Sequence, residues 1–125
     1  MAGEPILVVD DNLLNRTLVE AILADDYDVR TAEDAEAALD LLASLHPRLI
    51  LMDLQLPRMD GLTLTRRLKA DPATQDIVII AVTAYAMKGD EARARAAGCD
   101  DYISKPIDTR ALSEMVARHL EKPRP

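Results

Sequence analysis

The chain has 125 residues and a hydrophobic fraction of 49%, which suits one compact domain with its own core. A net charge of −7 argues against nucleic acid as a partner, because phosphate backbones attract basic surfaces. The apolar runs are far shorter than the roughly 20 residues of a membrane-spanning helix, and the N-terminus lacks the basic and apolar regions of a secretion signal. The lone cysteine, Cys99, cannot form an internal disulfide, so we expect a cytoplasmic protein that does not insert into membranes.

Short apolar runs predict five strands. Ile6–Val9, Leu49–Met52 and Ile77–Val82 are continuous apolar runs, typical of strands that are covered on both faces. Tyr27–Thr31 alternates in polarity and predicts an edge strand. Asp101–Ser104 predicts a short fifth strand.

Segments of helical period lie between and after these strands. Their apolar faces are predicted to be Leu14, Leu18 and Ile22; Ala35, Ala38, Leu39 and Leu42; Leu64 and Leu68; an Ala-rich stretch from about Ala86 to Ala97 that ends at Gly98; and Leu112, Met115, Val116 and Leu120. Thr31 with Asp34 resembles a capping box before the second helix, and Asp60 can cap the third. Strict alternation predicts an α/β fold, a doubly wound five-stranded parallel sheet with five helices in a three-layer sandwich. We expect a single domain over residues 1–125, with its core at about 5–121 and a short tail at 122–125.

Polar side chains follow the buried strands at the point where each strand ends. Asp10 and Asp11 follow the first strand, Asp53 the third, Thr83 the fourth and Lys105 the fifth. Because ligands of open α/β sheets bind at the carboxyl ends of the strands, we expect these groups to converge. Clustered carboxylates repel one another unless a cation joins them, and hard oxygen ligands suit Mg²⁺.

The residue types at this edge predict an aspartate that accepts a phosphoryl group. A lysine supplies a point charge for phosphate and a hydroxyl supplies a hydrogen bond to it, while the small Ala84 leaves the site open to a donor. Taken singly, each group could equally be a capping, loop or surface residue. Their arrival at successive strand ends favours a functional site.

Four motifs carry a resemblance to a known family: Val8–Asn12, Leu51–Gly61, Val82–Ala84 and Ser104–Pro106. Together they resemble the CheY-like receiver domain of two-component response regulators over essentially the whole chain. Further stretches, such as Thr83–Asp90, are similar to single-domain cell-cycle regulators of the DivK type. The resemblance implies the flavodoxin/CheY-like strand order 2-1-3-4-5.

The resemblance also implies a role for each matching residue. Asp53 would accept the phosphoryl group from a phosphohistidine of a sensor histidine kinase or a histidine phosphotransfer protein. The protein ligands of Mg²⁺ would be Asp11 and Asp53 directly, Asp10 through water, and the backbone carbonyl of Gln55. The phosphoryl group would meet Lys105, Thr83 and the backbone of Ala84; Tyr102 would change rotamer after Thr83, and the peptide before Pro106 would be cis. Gln55 and Tyr85 would lie at positions that influence how long the phosphoryl group survives.

The expected output is signalling rather than turnover of a substrate. A downstream protein would bind the face formed by the fourth helix, the fifth strand and the fifth helix when Asp53 is phosphorylated. We expect a monomer or weak dimer.

Alternative functions remain open at this point. A receiver excised from a hybrid kinase would have a similar sequence, although Met1 and the short tail favour a free protein. A Mg²⁺-dependent phosphatase of the haloacid-dehalogenase type would need a second acid at the position of Gln55. A flavodoxin-like cofactor binder would need a phosphate loop where Asp10 and Asp11 stand. An interaction module with a vestigial site would be expected to lack part of the set.

Overall fold

Strands and helices alternate along the chain in the computed structural model, which describes residues 4–84 and 89–121. The strands are Pro5–Val9 (β1), Asp28–Ala32 (β2), Leu49–Asp53 (β3), Val78–Thr83 (β4) and Asp101–Ser104 (β5). The helices are Leu13–Leu23 (α1), Ala35–Leu42 (α2), Gly61–Ala70 (α3), Asp90–Ala97 (α4) and Thr109–Glu121 (α5). None of the helices in these ranges combines the length and the apolar character that spanning a bilayer requires.

The five strands form one sheet in the order β2-β1-β3-β4-β5, and every neighbouring pair is parallel. The predicted fold class and strand order are therefore confirmed. The order reverses at β1 and β3, so the loops that leave these two strands diverge and open a crevice between them. In the register of the sheet, Asp53 of β3 lies opposite Val82 of β4.

Side chains of the central strands alternate between two apolar layers, as the two-residue period of a strand requires. In β1, Leu7 and Val9 pack towards α2, α3 and α4, while Ile6 and Val8 pack towards α1 and α5. Both faces of the sheet are therefore covered, which explains why the central strands are continuous apolar runs.

The predicted apolar face of α1 is wrong. Leu14 and Leu18 are exposed and Ile22 is half-buried, whereas Val19 and Leu23 are fully buried against the sheet. Leu14, Leu18 and Ile22 form one stripe at helical spacing, and Val19 with Leu23 forms the neighbouring stripe, about 100° around the helix. The spacing of apolar residues alone does not show which of two adjacent stripes faces the sheet. That depends on how the helix is rotated about its axis, which is set by where the helix begins.

The helix caps correct one further prediction and confirm another. Asp34 is itself the N-cap of α2 and accepts a hydrogen bond from the backbone of Ala37 at 2.8 Å. Thr31 lies within β2, so the predicted capping box is wrong. Asp60 caps α3 as predicted, with Thr63 as the donor.

The fourth helix is described over Asp90–Ala97. Its N-cap is Gly89 at φ 101°, and it ends at Gly98 at φ 110°, a backbone conformation that glycine adopts without steric cost. The predicted start at Ala86 lies outside the described residues.

Candidate functional site

Three carboxylates meet at the carboxyl edge of the sheet. Asp10 directly follows β1, Asp53 ends β3, and one oxygen from each of Asp10, Asp11 and Asp53 lies within 4.8 Å of the other two. Asp10 is 4% exposed and Asp53 is 2% exposed, while Asp11 is open to solvent. The predicted convergence of these acids is therefore present in the fold.

The backbone around β1 holds Asp10 in place. Its N–H donates to the carbonyl of Ala32 at 3.1 Å, and its Oδ1 accepts from the N–H of Asn12 at 2.8 Å. Asn12, and neither acid, is the N-cap of α1. The guanidinium of Arg16 also donates to the Asp10 carbonyl, at 2.7 Å. The sequence analysis did not single out Arg16, and no motif marks it.

Lys105 brings a positive charge to the acids. Its Nζ lies 3.0 Å from Oδ2 of Asp53 and 3.4 Å from Oδ2 of Asp10. Its backbone N–H donates to the carbonyl of Thr83 at 2.7 Å, which ties the loop after β5 to the end of β4. The peptide bond between Lys105 and Pro106 is cis.

Charge at this edge is unbalanced. Burial raises the pKa of Asp10 above its ordinary value, and the neighbouring charge of Asp53 raises it further against the opposing effects of Asn12 and Lys105. Burial alone would lower the pKa of Lys105, but its hydrogen bond and charge interaction with Asp53, helped by Asp10, raise it. The cluster therefore holds more negative charge than Lys105 neutralises.

These residues fit a divalent cation. Carboxylate oxygens grouped within 4.8 Å offer hard ligands to one ion, and Mg²⁺ uses few protein ligands and keeps several waters. The exposed Asp11 leaves a route to solvent on one side of the group. The backbone N–H of Gln55 donates to Oδ1 of Asp53 at 2.9 Å, which places the β3–α3 loop directly beside the cluster.

Thr83 and Ala84 lie at the end of β4, on the other side of Asp53. Thr83 is fully buried, and its Oγ1 lies 3.2 Å from Nε2 of Gln55. The backbone N–H of Ala84 donates to Oε1 of the same glutamine side chain at 3.3 Å. From the sequence, Gln55 was expected to offer its carbonyl to the metal and to influence the lifetime of the phosphoryl group. These side-chain contacts were not predicted, because a motif does not give the direction of a loop side chain.

Tyr102 and Tyr85 are the two tyrosines predicted to lie near the phosphoryl site, and the structure describes the first of them. Tyr102 is half-buried and packs against the apolar layer between the sheet and helices α2, α3 and α4. Its predicted rotamer change stays a prediction. Tyr85 lies outside the described residues.

Gly61 allows α3 to start close to the site. A Cβ at this position would lie 2.3 Å from the carbonyl oxygen of Asp53 and 2.8 Å from the Cα of Leu54. Any larger residue would therefore push α3 away from the end of β3. Close approach, rather than a positive φ, explains the glycine that ends the Leu51–Gly61 motif.

Chemically, the arrangement suits a carboxylate nucleophile beside a cation site. One oxygen of Asp53 is held by Lys105 and the other by the backbone of Gln55. An anionic group on Asp53 would lie near the ammonium of Lys105, a donor that phosphate accepts from.

Comparison with known proteins agrees with this geometry. Residues 6–117 match the family model described as response regulator receiver domain. The polar-differentiation response regulator DivK of Brucella ovis is 45% identical over 116 residues, which cover 92% of this chain and 94% of that protein. DivK of Brucella anthropi is 44% identical over the same length.

Solved structures show the same fold. The receiver domain of a sensor histidine kinase from Pseudomonas aeruginosa, described as having a magnesium ion coordinated in its active-site cleft, is 35% identical, with a TM-score of 0.88 over 97% of this chain and all of that one. A response regulator from Chloroflexus aurantiacus, itself described as putative, is 30% identical, with a TM-score of 0.90 over 96% of this chain and 99% of that one. The chain belongs to the response regulator receiver domain family.

Proposed function

We propose that this chain is a stand-alone cytoplasmic receiver, one domain over residues 1–125, that accepts a phosphoryl group on Asp53 with Mg²⁺. The observation that carries the proposal is the grouping of Asp10, Asp11 and Asp53 within 4.8 Å, with Lys105 Nζ 3.0 Å from Asp53. The similarity to DivK supports a regulator that signals through other proteins.

The chain's own residues account for most of the reaction. An ionised oxygen of Asp53 attacks the phosphorus of a phosphohistidine, so an O–P bond forms, the P–N bond breaks and the imidazole leaves with the bonding electron pair. Asp53 needs no general base, because a carboxylate carries no proton to remove. Lys105 stabilises charge on the transferred group, and the N–H of Ala84 and the hydroxyl of Thr83 bind its oxygens.

Asp10, Asp11, Asp53 and the carbonyl of Gln55 would hold the Mg²⁺. When bound, this ion supplies neutralisation of the negative charge shared by the carboxylates and the phosphoryl oxygens.

A phosphodonor protein would dock beside the pocket, against α1. Leu13, Leu14 and Leu18 are 65%, 78% and 42% exposed, and α1 begins two residues after Asp11. Exposed leucines next to a reactive site are typical of a protein-binding surface. Leu14→Ser should therefore slow phosphotransfer from a kinase or phosphotransfer protein and leave phosphorylation by acetyl phosphate unchanged.

Output would use the α4–β5–α5 face. Arg95 of α4 and Arg118 and His119 of α5 surround Asp101 of β5, so one ionic group joins all three elements. A change at the end of β5, where Lys105 follows, would be transmitted through this connection. A downstream protein would bind this face of the phosphorylated form.

Phosphorylation by acetyl phosphate tests the proposal. With Mg²⁺, intact-mass spectrometry should show addition of one phosphoryl group, and Asp53→Asn should abolish it. The matched control is Asp25→Asn, which removes one exposed carboxylate beyond the C-terminal end of α1, the end away from Asp11, and should be phosphorylated normally. Phosphorylation that persists in Asp53→Asn, or sustained turnover of a phosphomonoester, would overturn the proposal.

A further inference from the structure

We propose that the side-chain amide of Gln55 is a resting-state latch, occupying two groups that a phosphoryl oxygen would otherwise use. The inference rests on the proposed function and adds a regulatory residue to it. The two groups are the hydroxyl of Thr83 and the backbone N–H of Ala84.

The hydrogen bonds fix the orientation of this amide. The backbone N–H of Ala84 can only donate, so the oxygen of the Gln55 amide must face it, at 3.3 Å. The amino group then faces Oγ1 of Thr83, at 3.2 Å. The same side chain therefore contacts both groups at once, although they lie 28 and 29 positions away along the chain.

The backbone positions Gln55 for this contact. The N–H of Leu54 donates to the carbonyl of Val82 at 2.9 Å, and the N–H of Gln55 itself donates to Asp53. Farther along the same loop, Arg58 pairs with Asp34 at 2.5 Å. The β3–α3 loop is thus held to β4, to β3 and to the start of α2. The Gln55 amide can therefore contact the end of β4 at little cost in conformational entropy of the loop.

Phosphoryl binding and this contact compete. The N–H of Ala84 offers one hydrogen, and a phosphoryl oxygen bound to it would displace the Gln55 amide. A Thr83 hydroxyl that turns towards a group on Asp53 would no longer present its oxygen to Nε2 of Gln55. Because both contacts exist only without the phosphoryl group, they lower its apparent affinity by the free energy of breaking them.

The effect should be modest, since Gln55 is exposed and exposed amide hydrogen bonds contribute little. The latch acts before the group binds. It is therefore separate from the lifetime of the aspartyl phosphate, which depends on attack by water afterwards.

Beryllofluoride, a phosphoryl mimic that coordinates a carboxylate oxygen, gives a direct test. It would be titrated with saturating Mg²⁺ into the full chain and into Gln55→Met, which keeps a stem of similar length but lacks the amide. Isothermal calorimetry should show roughly threefold to tenfold tighter binding to the variant, the range expected for losing one or two weak hydrogen bonds. Hydrogen exchange of the Ala84 amide without ligand should also be faster in Gln55→Met.

The matched control is Gln75→Met, which removes another exposed amide on the loop after α3 and should leave both measurements unchanged. Gln55→Ala should change affinity in the same direction as Gln55→Met. Equal or weaker beryllofluoride binding by both Gln55 variants would overturn the latch. Failure of the unmodified chain to bind beryllofluoride would instead overturn the proposed function.

Discussion

Two clusters of charge at opposite ends of β5 contrast sharply. In the first, the acidic pocket formed by Asp10, Asp11 and Asp53, the acids share Lys105 as the nearby cation that the structure describes. In the second, the single carboxylate of Asp101 has His119 at 2.9 Å, Arg118 at 3.4 Å and Arg95 at 3.8 Å.

The pKa values of the carboxyls follow this difference. Burial would raise the pKa of Asp101, but hydrogen bonds from His119 and from the N–H of Tyr102, with the charges of His119 and Arg118, lower it. The pKa of Asp10 is raised. The direction of the pKa shift of a carboxyl is decided by the surrounding charges and by the depth of burial. Asp10 and Asp101 differ in both.

The two clusters therefore have different roles in the protein. The cluster around Asp101 is neutralised by the protein and stabilises the packing of α5 on β5. The acidic pocket is left with excess negative charge, which opposes folding and favours a cation from solution.

The largest effect is expected for Lys105→Met. The raised pKa means that the ionised lysine stabilises the fold; this contribution is full below the ordinary value of 10.5 and is lost as pH rises through the folded value. At neutral pH the variant should lose about 2 kcal/mol of unfolding free energy, because two buried carboxylates lose the cation that lies between them. Urea unfolding in metal-free buffer measures this loss.

Adding Mg²⁺ tests whether the cation and Lys105 neutralise the same carboxylates. A divalent ion can replace part of the missing charge, so Mg²⁺ should raise the unfolding free energy of Lys105→Met more than that of the unmodified chain. An equal response to Mg²⁺ in both proteins would contradict the view that Lys105 and the cation compensate the same charges.

Asp10→Asn should have a smaller effect of opposite sign. An acid whose folded pKa is raised opposes folding when it is ionised at neutral pH, and this penalty disappears as pH falls through the folded value. The neutral amide should therefore raise the unfolding free energy by about 1 kcal/mol without metal, because it removes a buried charge that Lys105 neutralises only in part. Its oxygen can still accept from the N–H of Asn12.

The control for Asp10→Asn is Asp25→Asn, which makes the net charge less negative by the same one unit at an exposed position. If both variants gain the same stability, the cause is general charge repulsion and not the pocket. Mg²⁺ should stabilise the control as well as it stabilises the unmodified chain, and Asp10→Asn less.

Much of this contrast was visible in the sequence, because backbone periodicity determines where strands end. The apolar runs predicted the central strands to within one residue, and strand ends in a parallel sheet share one edge. The acids Asp10 and Asp53, together with Lys105, therefore came together as expected. The spacing between these motifs predicts the convergence of the side chains because it is set by the lengths of complete strands and helices.

Contacts that depend on the direction in which a side chain points could not be predicted from the sequence. The stripe of α1 that faces the core, the amide of Gln55 and the ion pairs of Asp101 all depend on rotamers and on helix rotation. Nothing in the neighbours of His119 along the chain indicates a partner 18 residues earlier. Local patterns do not encode such pairings, since they arise only when α5 packs on β5.

The smallest effect is expected for Asp101→Asn. A lowered folded pKa means that the ionised carboxylate adds stability above its ordinary value of 3.8, and that this contribution is lost as pH falls through the folded value. The amide can still accept from the N–H of Tyr102, so only the ionic part is removed. The variant should lose up to about 1 kcal/mol near neutral pH, because the pairs are only partly buried.

Urea unfolding at a series of pH values separates this ionic contribution from a general defect of the variant. The gap between the unmodified chain and Asp101→Asn should narrow as pH falls below about 4, since protonated aspartic acid and asparagine are both neutral. Asp76→Asn is the matched control, because Asp76 also pairs with a histidine, His46 at 3.3 Å, but both side chains are about half exposed. It should change the unfolding free energy by only a few tenths of a kcal/mol. A gap for Asp101→Asn that stays constant down to acidic pH would mean that the asparagine disturbs packing, and the contrast between the two clusters would then lose its electrostatic basis.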